Sequence, residues 1–219
     1  MRNIKDKKEA INIIYKCAKM YDENLADKCV LFVTDSKGNS ADFEAQFMRH
    51  NFKHLTGSAA VNIDPEVFYN RAIENRLQPN NIVLSPDGTS SMKLSVLPKL
   101  VNIHNTARMV GNYAGARVVV DKYAGTTASV LGFKAVNNIY VPLTALKENI
   151  NDVADKSSRS RVLAIFTKAV KDSLYTFISY RAHNVTLSAI ASIKTLSLKV
   201  DFSNLIFPDN WTPSVDDGI

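Results

Sequence analysis

The sequence has few of the residues that build several common kinds of site. Its two cysteines and four histidines do not show the spacing of a zinc site, and its eight glycines form no Walker or dinucleotide-binding loop. The acidic residues Asp121, Glu148 and Asp152 form no evident two-metal cluster. We therefore expect reduced cysteines rather than disulfides, no bound metal and no cofactor.

Long apolar runs are also missing. No run approaches the roughly 20 residues of a membrane span, and the first nine residues are too polar for a signal peptide. We expect a soluble cytoplasmic protein without a membrane partner. Hydrophobic residues make up 46% of the sequence, enough for the core of one domain, and the net charge of +6 favours a polyanionic partner.

The first half of the sequence predicts helices and one hairpin. Apolar residues at helical spacing predict an amphipathic helix over residues 7–25. The strand-like run 28–34 and the alternating stretch up to Phe47 predict a hairpin that leads into residues 51–57. Helix starts are indicated at Asp64-Pro65 and at Thr89 or Ser90.

The second half is richer in β-branched and aromatic residues and predicts short strands. A short helix is predicted near 143–150, an exposed loop at 151–161 and a tail after Phe207, and the structure of 186–200 stays open. Helices followed by antiparallel strands predict an α+β fold, with N-terminal helices packed on a central antiparallel β-sheet. We predict a domain over 1–183 and a C-terminal extension over 184–219. The predicted strands are Val118–Val120, Ala128–Phe133, Ile139–Val141, Arg161–Phe166 and Leu174–Tyr180.

Residues 51–57, Asn-Phe-Lys-His-Leu-Thr-Gly, are the most informative block. His54 lies between apolar Phe52 and Leu55, which places it where an extended chain leaves the core for a loop. An imidazole beside the cation Lys53 suits proton transfer around a phosphate. A core-edge histidine bonded to a backbone carbonyl is the other interpretation that the pattern leaves open.

Metal-free RNA cleavage needs a base, an acid and cations that hold the extra phosphorane charge. His54 is the best proton carrier, and Lys122 and Lys168 are candidate phosphate clamps, although each lysine also fits a solvated surface charge. The proposed catalytic residues are His54, Thr56, Lys122 and Lys168. Substrate binding is assigned to Lys53, Tyr69, Asn112, Tyr113, Thr126 and Arg161, of which the tyrosines and the asparagine also fit structural roles.

Several short blocks in a fixed order resemble one family, the fourth phage group of the barnase, EndoU, colicin and RelE-like nucleases. The resemblance covers residues from about 25 to 180. It rests on the blocks Phe52-Lys-His-Leu-Thr-Gly57, Val67-Phe-Tyr69, Lys93-Leu, Leu97-Pro-Lys-Leu100, Gly111-Asn-Tyr113, Asp121-Lys-Tyr-Ala-Gly125, Leu131-Gly-Phe133, Val141-Pro142, Leu146-Lys-Glu148 and Arg161-Val-Leu-Ala-Ile-Phe-Thr-Lys168.

The resemblance implies a ribonuclease of a bacteriophage or mobile element, with an N-terminal helical part and a central antiparallel sheet. It also implies that His54 and Thr56 belong to the signature block and that Lys122 and Lys168 are its later basic positions. The chain departs from the family pattern at Tyr123, where leucine is common, and after Pro142, where an asparagine is replaced.

Two functions are compatible with these residues. The first is a metal-independent endoribonuclease, acting as a toxin in the bacterial host cell, with RNA such as tRNA or ribosomal RNA as substrate and a host or antitoxin protein as partner. The alternative is a non-catalytic phage protein that binds and inhibits a host defence complex or a nucleic acid. The first function predicts that His54, Thr56, Lys122 and Lys168 line one basic cleft.

Overall fold

The computed structural model describes residues 4, 6–35, 42–60, 62–113, 120–137, 139–209 and 211. The helices are α1 (Lys7–Asn24), α2 (Asn51–Thr56), α3 (Pro65–Ile73), α4 (Thr89–Leu100), α5 (Ile103–Thr106), α6 (Ile150–Val153) and α7 (Leu187–Ala191). The strands are β1 (Lys28–Thr34), β2 (Asp42–Phe47), β3 (Ala59–Ala60), β4 (Ile82–Val83), β5 (Met109–Asn112), β6 (Lys122–Gly125), β7 (Val130–Val136), β8 (Ile139–Leu146), β9 (Ser160–Ala169) and β10 (Phe177–Arg181).

The N-terminal helices form a layer beside β8. α2 and α4 pack on this strand, and α1 packs on α3 and α4. The Asp6 carboxylate caps α1 by accepting the Lys8 N–H at 2.9 Å, and Asp64 caps α3 in the same way. The helix starts predicted at residues 7 and 65 are therefore confirmed.

The large sheet closes on itself and forms a barrel. Its strand order is β1-β2-β8-β7-β6-β5-β9-β10, and β1 also pairs with β9, so that β1 has a neighbour along both edges. One neighbouring pair is parallel, β2 with β8, where Ala45 lies opposite Tyr140. The α+β class is confirmed, but a flat, wholly antiparallel sheet is not what forms. Twist accumulated over many strands brings the edges of a sheet together.

One face of the curled sheet and the helical layer share the main core. Phe133 is fully buried in it, with its ring centroid 6.3 Å from that of Phe32, 5.6 Å from Phe43 and 6.0 Å from Phe47. These rings come from three different strands. They therefore fasten β1, β2 and β7 together through side chains.

The opposite face of β1 and β9 is covered by residues 184–209, which we call the C-terminal segment. Leu31 and Phe166 on the sheet pack in one cluster with Leu187, Ile190 and Leu196. β1 is buried on both faces for this reason, with six of its seven residues buried. Residues 184–209 thus share a core with the barrel.

Three local predictions from the sequence are wrong. Residues 51–56 form the short helix α2, packed on β8, instead of an extended chain. Gly57 ends this helix in the left-handed conformation, with φ at 66°. The predicted helix at 143–150 is wrong over its first half, since β8 continues to Leu146 and α6 begins only at Ile150. The predicted exposed loop at 151–161 begins with residues of α6 and ends in β9, where Ser160 is buried, whereas the strand predicted from Arg161 is confirmed. Of the predicted strand 118–120, residues 118 and 119 lie outside the described residues.

The aromatic core gives a stability prediction. Phe133→Ala leaves a cavity between three strands and should lower the free energy of unfolding by about 3–5 kcal/mol. Val136→Ala, on the same strand but 48% exposed, should change it by less than about 0.5 kcal/mol. Urea denaturation of the two variants measures both values. Similar losses in the two variants would contradict this view of the core.

Candidate active site

A polar cleft of about 570 Å³ lies at one end of the barrel, where β1, β5, β2, β6 and β9 begin or end. Antiparallel pairing brings these strand ends together, because the last residues of β1 and β5 lie opposite the first residues of their partners. We call it the barrel-mouth cleft. It is lined by Thr34, Asp35, Asp42, Phe43, Val110, Gly111, Asn112, Lys122, Ser157, Ser158, Arg159 and Ser160.

Lys122 is the central cation of this cleft. Its Nζ donates to Asn112 Oδ1 at 3.1 Å, and the two residues are direct partners across β5 and β6. The same Nζ lies 5.7 Å from the Phe43 ring centroid and 5.6 Å from that of Tyr140. Burial against these groups lowers the pKa of Lys122. Among the described residues, no carboxylate oxygen lies within 4.0 Å of this ammonium.

Arg159 brings a second cation to the cleft. Its Nη1 donates to Asn151 Oδ1 at 3.1 Å, while its buried Nε has no hydrogen-bond partner within the described part of the chain. Next to it, Ser158 Oγ accepts the Asn112 N–H at 2.8 Å and ties the loop before β9 to the end of β5. Gly111 permits this approach, because a Cβ there would lie 2.8 Å from the Ala154 Cβ and 3.4 Å from the Arg159 Cγ.

Two carboxylates border the cleft and both have partners. Asp35 is exposed, and its Oδ1 accepts the Arg161 N–H at 2.8 Å. Asp42 forms an ion pair with Lys199 from the C-terminal segment. The cleft therefore combines cations, hydroxyls and amides with acidic groups that are fixed in place, an arrangement suited to an anionic ligand.

The predicted residues Lys122 and Asn112 are brought together, and two others flank them. Tyr113 follows Asn112, and its ring centroid lies 5.7 Å from that of Tyr123. Arg161 is exposed beside the cleft, and its Nη2 donates to the His183 carbonyl at 3.0 Å.

His54 lies on α2, away from the barrel-mouth cleft. It is exposed, and desolvation by its surroundings followed by the charges of Lys53, Lys93 and His50 lowers its pKa. α4 places Met92, beside Lys93, against the N–H of Lys147 just past the end of β8. Tyr140, which packs near Lys122, is at the start of that strand. His54 is not among the residues that line the barrel-mouth cleft.

Three other predicted residues have mainly structural contacts. Thr56 is buried, and its hydroxyl donates to the Lys53 carbonyl at 2.8 Å. Tyr69 is 1% exposed and donates to an Asp22 carboxylate oxygen at 2.5 Å. Thr126 lies in the turn after β6, where its Oγ1 accepts the Ala128 N–H at 3.1 Å.

Lys168 lies at the other end of the barrel. It is eight residues beyond Ser160 on β9, or about 26 Å along a strand. Its Nζ donates to the Ser173 carbonyl at 3.0 Å and lies 4.9 Å from the Tyr175 ring centroid. The structure therefore does not bring His54, Thr56, Lys122 and Lys168 into one cleft.

Sequence reasoning missed several residues of the cleft. The Ser157-Ser-Arg-Ser160 run is polar and basic, but the sequence predicted only an exposed loop there. Phe43 and Tyr140 have no sequence signal for a site, because each fits an ordinary strand residue. The two rings come close to the Lys122 ammonium only because strands that are distant in sequence pair with one another.

Further properties bear on the chemistry of the described residues. No group of three or more His, Cys, Asp or Glu side chains among them is arranged to hold a metal ion. Within the same part of the chain, the helices fall short of the length and apolar character needed to cross a membrane.

The fold is α+β, with a curled sheet and a cationic cleft at its mouth. Comparison with known families identifies the class of protein. Residues 13–184 match the family described as phage-Barnase-EndoU-ColicinE5/D-RelE like nuclease4. The chain belongs to this family of phage-type nucleases, whose substrates are nucleic acids. The resemblance inferred from short blocks is thereby confirmed. Comparisons with curated proteins and with solved structures give no match.

Gly111 gives a prediction for the cleft. Gly111→Ala should disturb the packing of β5 against Ala154 and the Ser158–Arg159 loop, because the new Cβ would lie 2.8 Å from the Ala154 Cβ, 3.4 Å from the Arg159 Cγ and 3.6 Å from the Ser158 Oγ. Nuclease activity should fall at least about tenfold, since small displacements of groups that position a substrate are costly. Gly88→Ala is the comparison, because a Cβ there meets nothing within 4 Å, although φ of 86° makes it strained. Full activity in Gly111→Ala would show that this loop is not part of the site.

His104 gives a prediction about pH. Burial, with a smaller effect of Lys28, lowers the pKa of His104 to about 4. The unfolded chain takes up a proton near pH 6.5, but the folded protein stays neutral at this position until about pH 4. Stability should therefore fall as the pH drops from about 6.5 to about 4. Urea denaturation at several pH values should show a shallower pH slope for His104→Gln, and equal slopes would contradict this assignment.

Proposed function

We propose that the protein is an endoribonuclease whose barrel-mouth cleft binds the sugar–phosphate backbone of RNA. The observation that supports this most directly is the Lys122 ammonium, half-buried over two aromatic rings and bonded to the neutral Asn112 amide. A cation that has lost water and has no carboxylate partner among the described residues retains a strong attraction for an incoming phosphate.

The proposed reaction is metal-independent and goes through a cyclic phosphate. The ribose 2′-oxygen attacks the adjacent phosphorus as its proton passes to a base, and the bond to the 5′-oxygen breaks as that oxygen takes a proton. The products are a 2′,3′-cyclic phosphate and a 5′-hydroxyl. Extra negative charge builds up on the phosphoryl oxygens in the transition state, where a fixed cation stabilises it most.

The cleft supplies groups for these steps. Lys122 and Arg159 would hold the phosphoryl charge, and Ser157 and Ser158 would orient the backbone through their hydroxyls. Asp35 is the exposed carboxylate at the cleft and is our candidate for the base that takes the 2′-hydroxyl proton. Tyr140, close to Lys122, would contact a neighbouring base.

The roles predicted for His54, Thr56 and Lys168 remain predictions. In our proposal the reaction takes place at the barrel mouth, so His54→Ala should leave most of the activity. A total loss of activity in folded His54→Ala would favour the site that the signature block predicts over the barrel-mouth cleft.

A second function is favoured by one observation. Among the described residues that line the cleft, none is a histidine, so its acid–base set is less complete than its cationic set. The same scaffold would then be a non-catalytic phage protein that binds a host defence complex or a nucleic acid. A stoichiometric complex with a host protein, formed equally well by Lys122→Ala, would support this alternative.

The biological setting belongs to the same proposal. A phage- or mobile-element-encoded ribonuclease would act in the cytoplasm of the bacterial host as a toxin or effector. Its substrate would be host RNA, such as tRNA or ribosomal RNA, and a host or antitoxin protein would restrain it. These points rest on the family and on the net charge of +6.

Lys122→Ala tests the proposed site. It should lower kcat/KM for RNA cleavage at least about 100-fold, as for removal of a group that stabilises transition-state charge. Lys134→Ala removes the same charge from the neighbouring strand, where Lys134 pairs with Asp121 at 3.4 Å, and should stay within about twofold. Cleavage of end-labelled RNA in EDTA, with analysis of the product ends, measures both.

Circular dichroism of both variants controls for folding. Equal activity in Lys122→Ala and wild type would exclude the barrel-mouth cleft as the site. Intact RNA after incubation with the wild-type protein, for host tRNA and ribosomes alike, would exclude the ribonuclease function.

A further inference from the structure

The C-terminal segment reaches the barrel mouth from outside the family match, which ends at residue 184. It runs along the free edge of β10. There the Tyr175 N–H donates to the Lys199 carbonyl at 2.8 Å, and the Ile206 N–H donates to the Thr176 carbonyl at 2.7 Å. These bonds fix the backbone at Lys199 against the sheet, so its side chain starts from a defined position.

Lys199 is directed to the first residue of β2. Its Nζ forms an ion pair with Asp42, whose side chain is only 6% exposed, and the Thr195 hydroxyl lies 3.4 Å from the other carboxylate oxygen. The described groups that bind this carboxylate thus both come from the C-terminal segment. A carboxylate with so little access to water depends strongly on its counter-charge.

Asp42 is also part of the barrel-mouth cleft. It lines the cleft and directly precedes Phe43, the ring over which the Lys122 ammonium lies at 5.7 Å. Without Lys199, no described cation would pair with the Asp42 carboxylate next to the phosphate site. The start of β2 would then shift toward water, or the negative charge would oppose the binding of a phosphate.

We propose that Lys199 is a positioning residue for the barrel-mouth cleft, acting through Asp42 on the start of β2. This rests on the proposed function, because the effect on activity requires that the cleft be the site of RNA cleavage. It makes the segment after residue 184 part of the active unit. The residue does not contact the substrate in this proposal.

Four variants test the proposal in the full-length protein. Lys199→Met removes the charge, Lys199→Arg keeps it, Lys199→Met with Asp42→Asn removes both charges, and Lys194→Met changes an exposed lysine of the same segment. The readouts are kcat and KM for RNA at two salt concentrations and hydrogen exchange of residues 42–47 by mass spectrometry.

Lys199→Met should lower kcat/KM at least about tenfold and speed exchange in residues 42–47, because the nearly buried Asp42 carboxylate loses its counter-charge. Lys199→Arg and Lys194→Met should stay within about twofold, and the double variant should recover most of the loss if the two residues are coupled. A loss in Lys199→Met that the double variant does not recover would overturn the proposal, as would unchanged activity and exchange.

The exchange measurement keeps this test separate from the proposed function. If the wild-type protein cleaves no RNA, the ribonuclease function fails. Faster exchange of residues 42–47 in Lys199→Met, reversed in the double variant, would still establish the positioning of β2 by Lys199. Unchanged exchange would refute it.

Discussion

The placement of the Lys122 ammonium depends on how the sheet closes. Its hydrogen-bond partner Asn112 is on β5, and the two rings beneath it, Phe43 and Tyr140, are on β2 and β8. β2 and β8 lie side by side through a parallel pairing with Ala45 opposite Tyr140. Asn112 is the cross-strand partner of Lys122 in any case, but an open sheet would move the two rings away and leave the ammonium in water, where its attraction for a phosphate is weaker.

The two faces of the sheet stabilise its closed form in different ways. The helices and the Phe133 cluster hold the strands from one side, and the C-terminal segment covers β1 and β9 from the other. The cleft itself is built from strand ends, where backbone pairing stops and side chains meet the solvent. Functional groups are common at such positions because a rigid scaffold holds them while leaving them accessible.

Much of the fold could be predicted from local signals. Apolar residues at helical spacing predict the first helix, Asp64 marks a helix start through capping, and the run 28–34 shows strand character in its composition. Residues 51–57 could not be assigned correctly, because a six-residue helix is too short to show periodicity and depends on its packing against β8. Closure of the sheet was also beyond prediction, since β1 and β9 are far apart in sequence.

The candidate site was predictable only in part, for the same reason. Lys122 and Asn112 stand out as polar residues in strand-rich blocks, and a register pair joins them. Arg159 lies in a run whose composition resembles that of any exposed loop. Asp42 forms its ion pair with Lys199, which is 157 residues away in the chain. His54 has the chemical character of a catalytic residue, but α2 places it away from the barrel mouth. Residue type suggests chemistry, whereas only the fold determines which groups meet.

A structure of the protein bound to a short RNA that lacks the reactive 2′-hydroxyl tests the central claim most directly. Our account predicts a backbone phosphate within about 3 Å of the Lys122 Nζ, as in a charge-assisted hydrogen bond. A phosphate bound instead beside His54 and Lys93, with the barrel-mouth cleft empty, would contradict it.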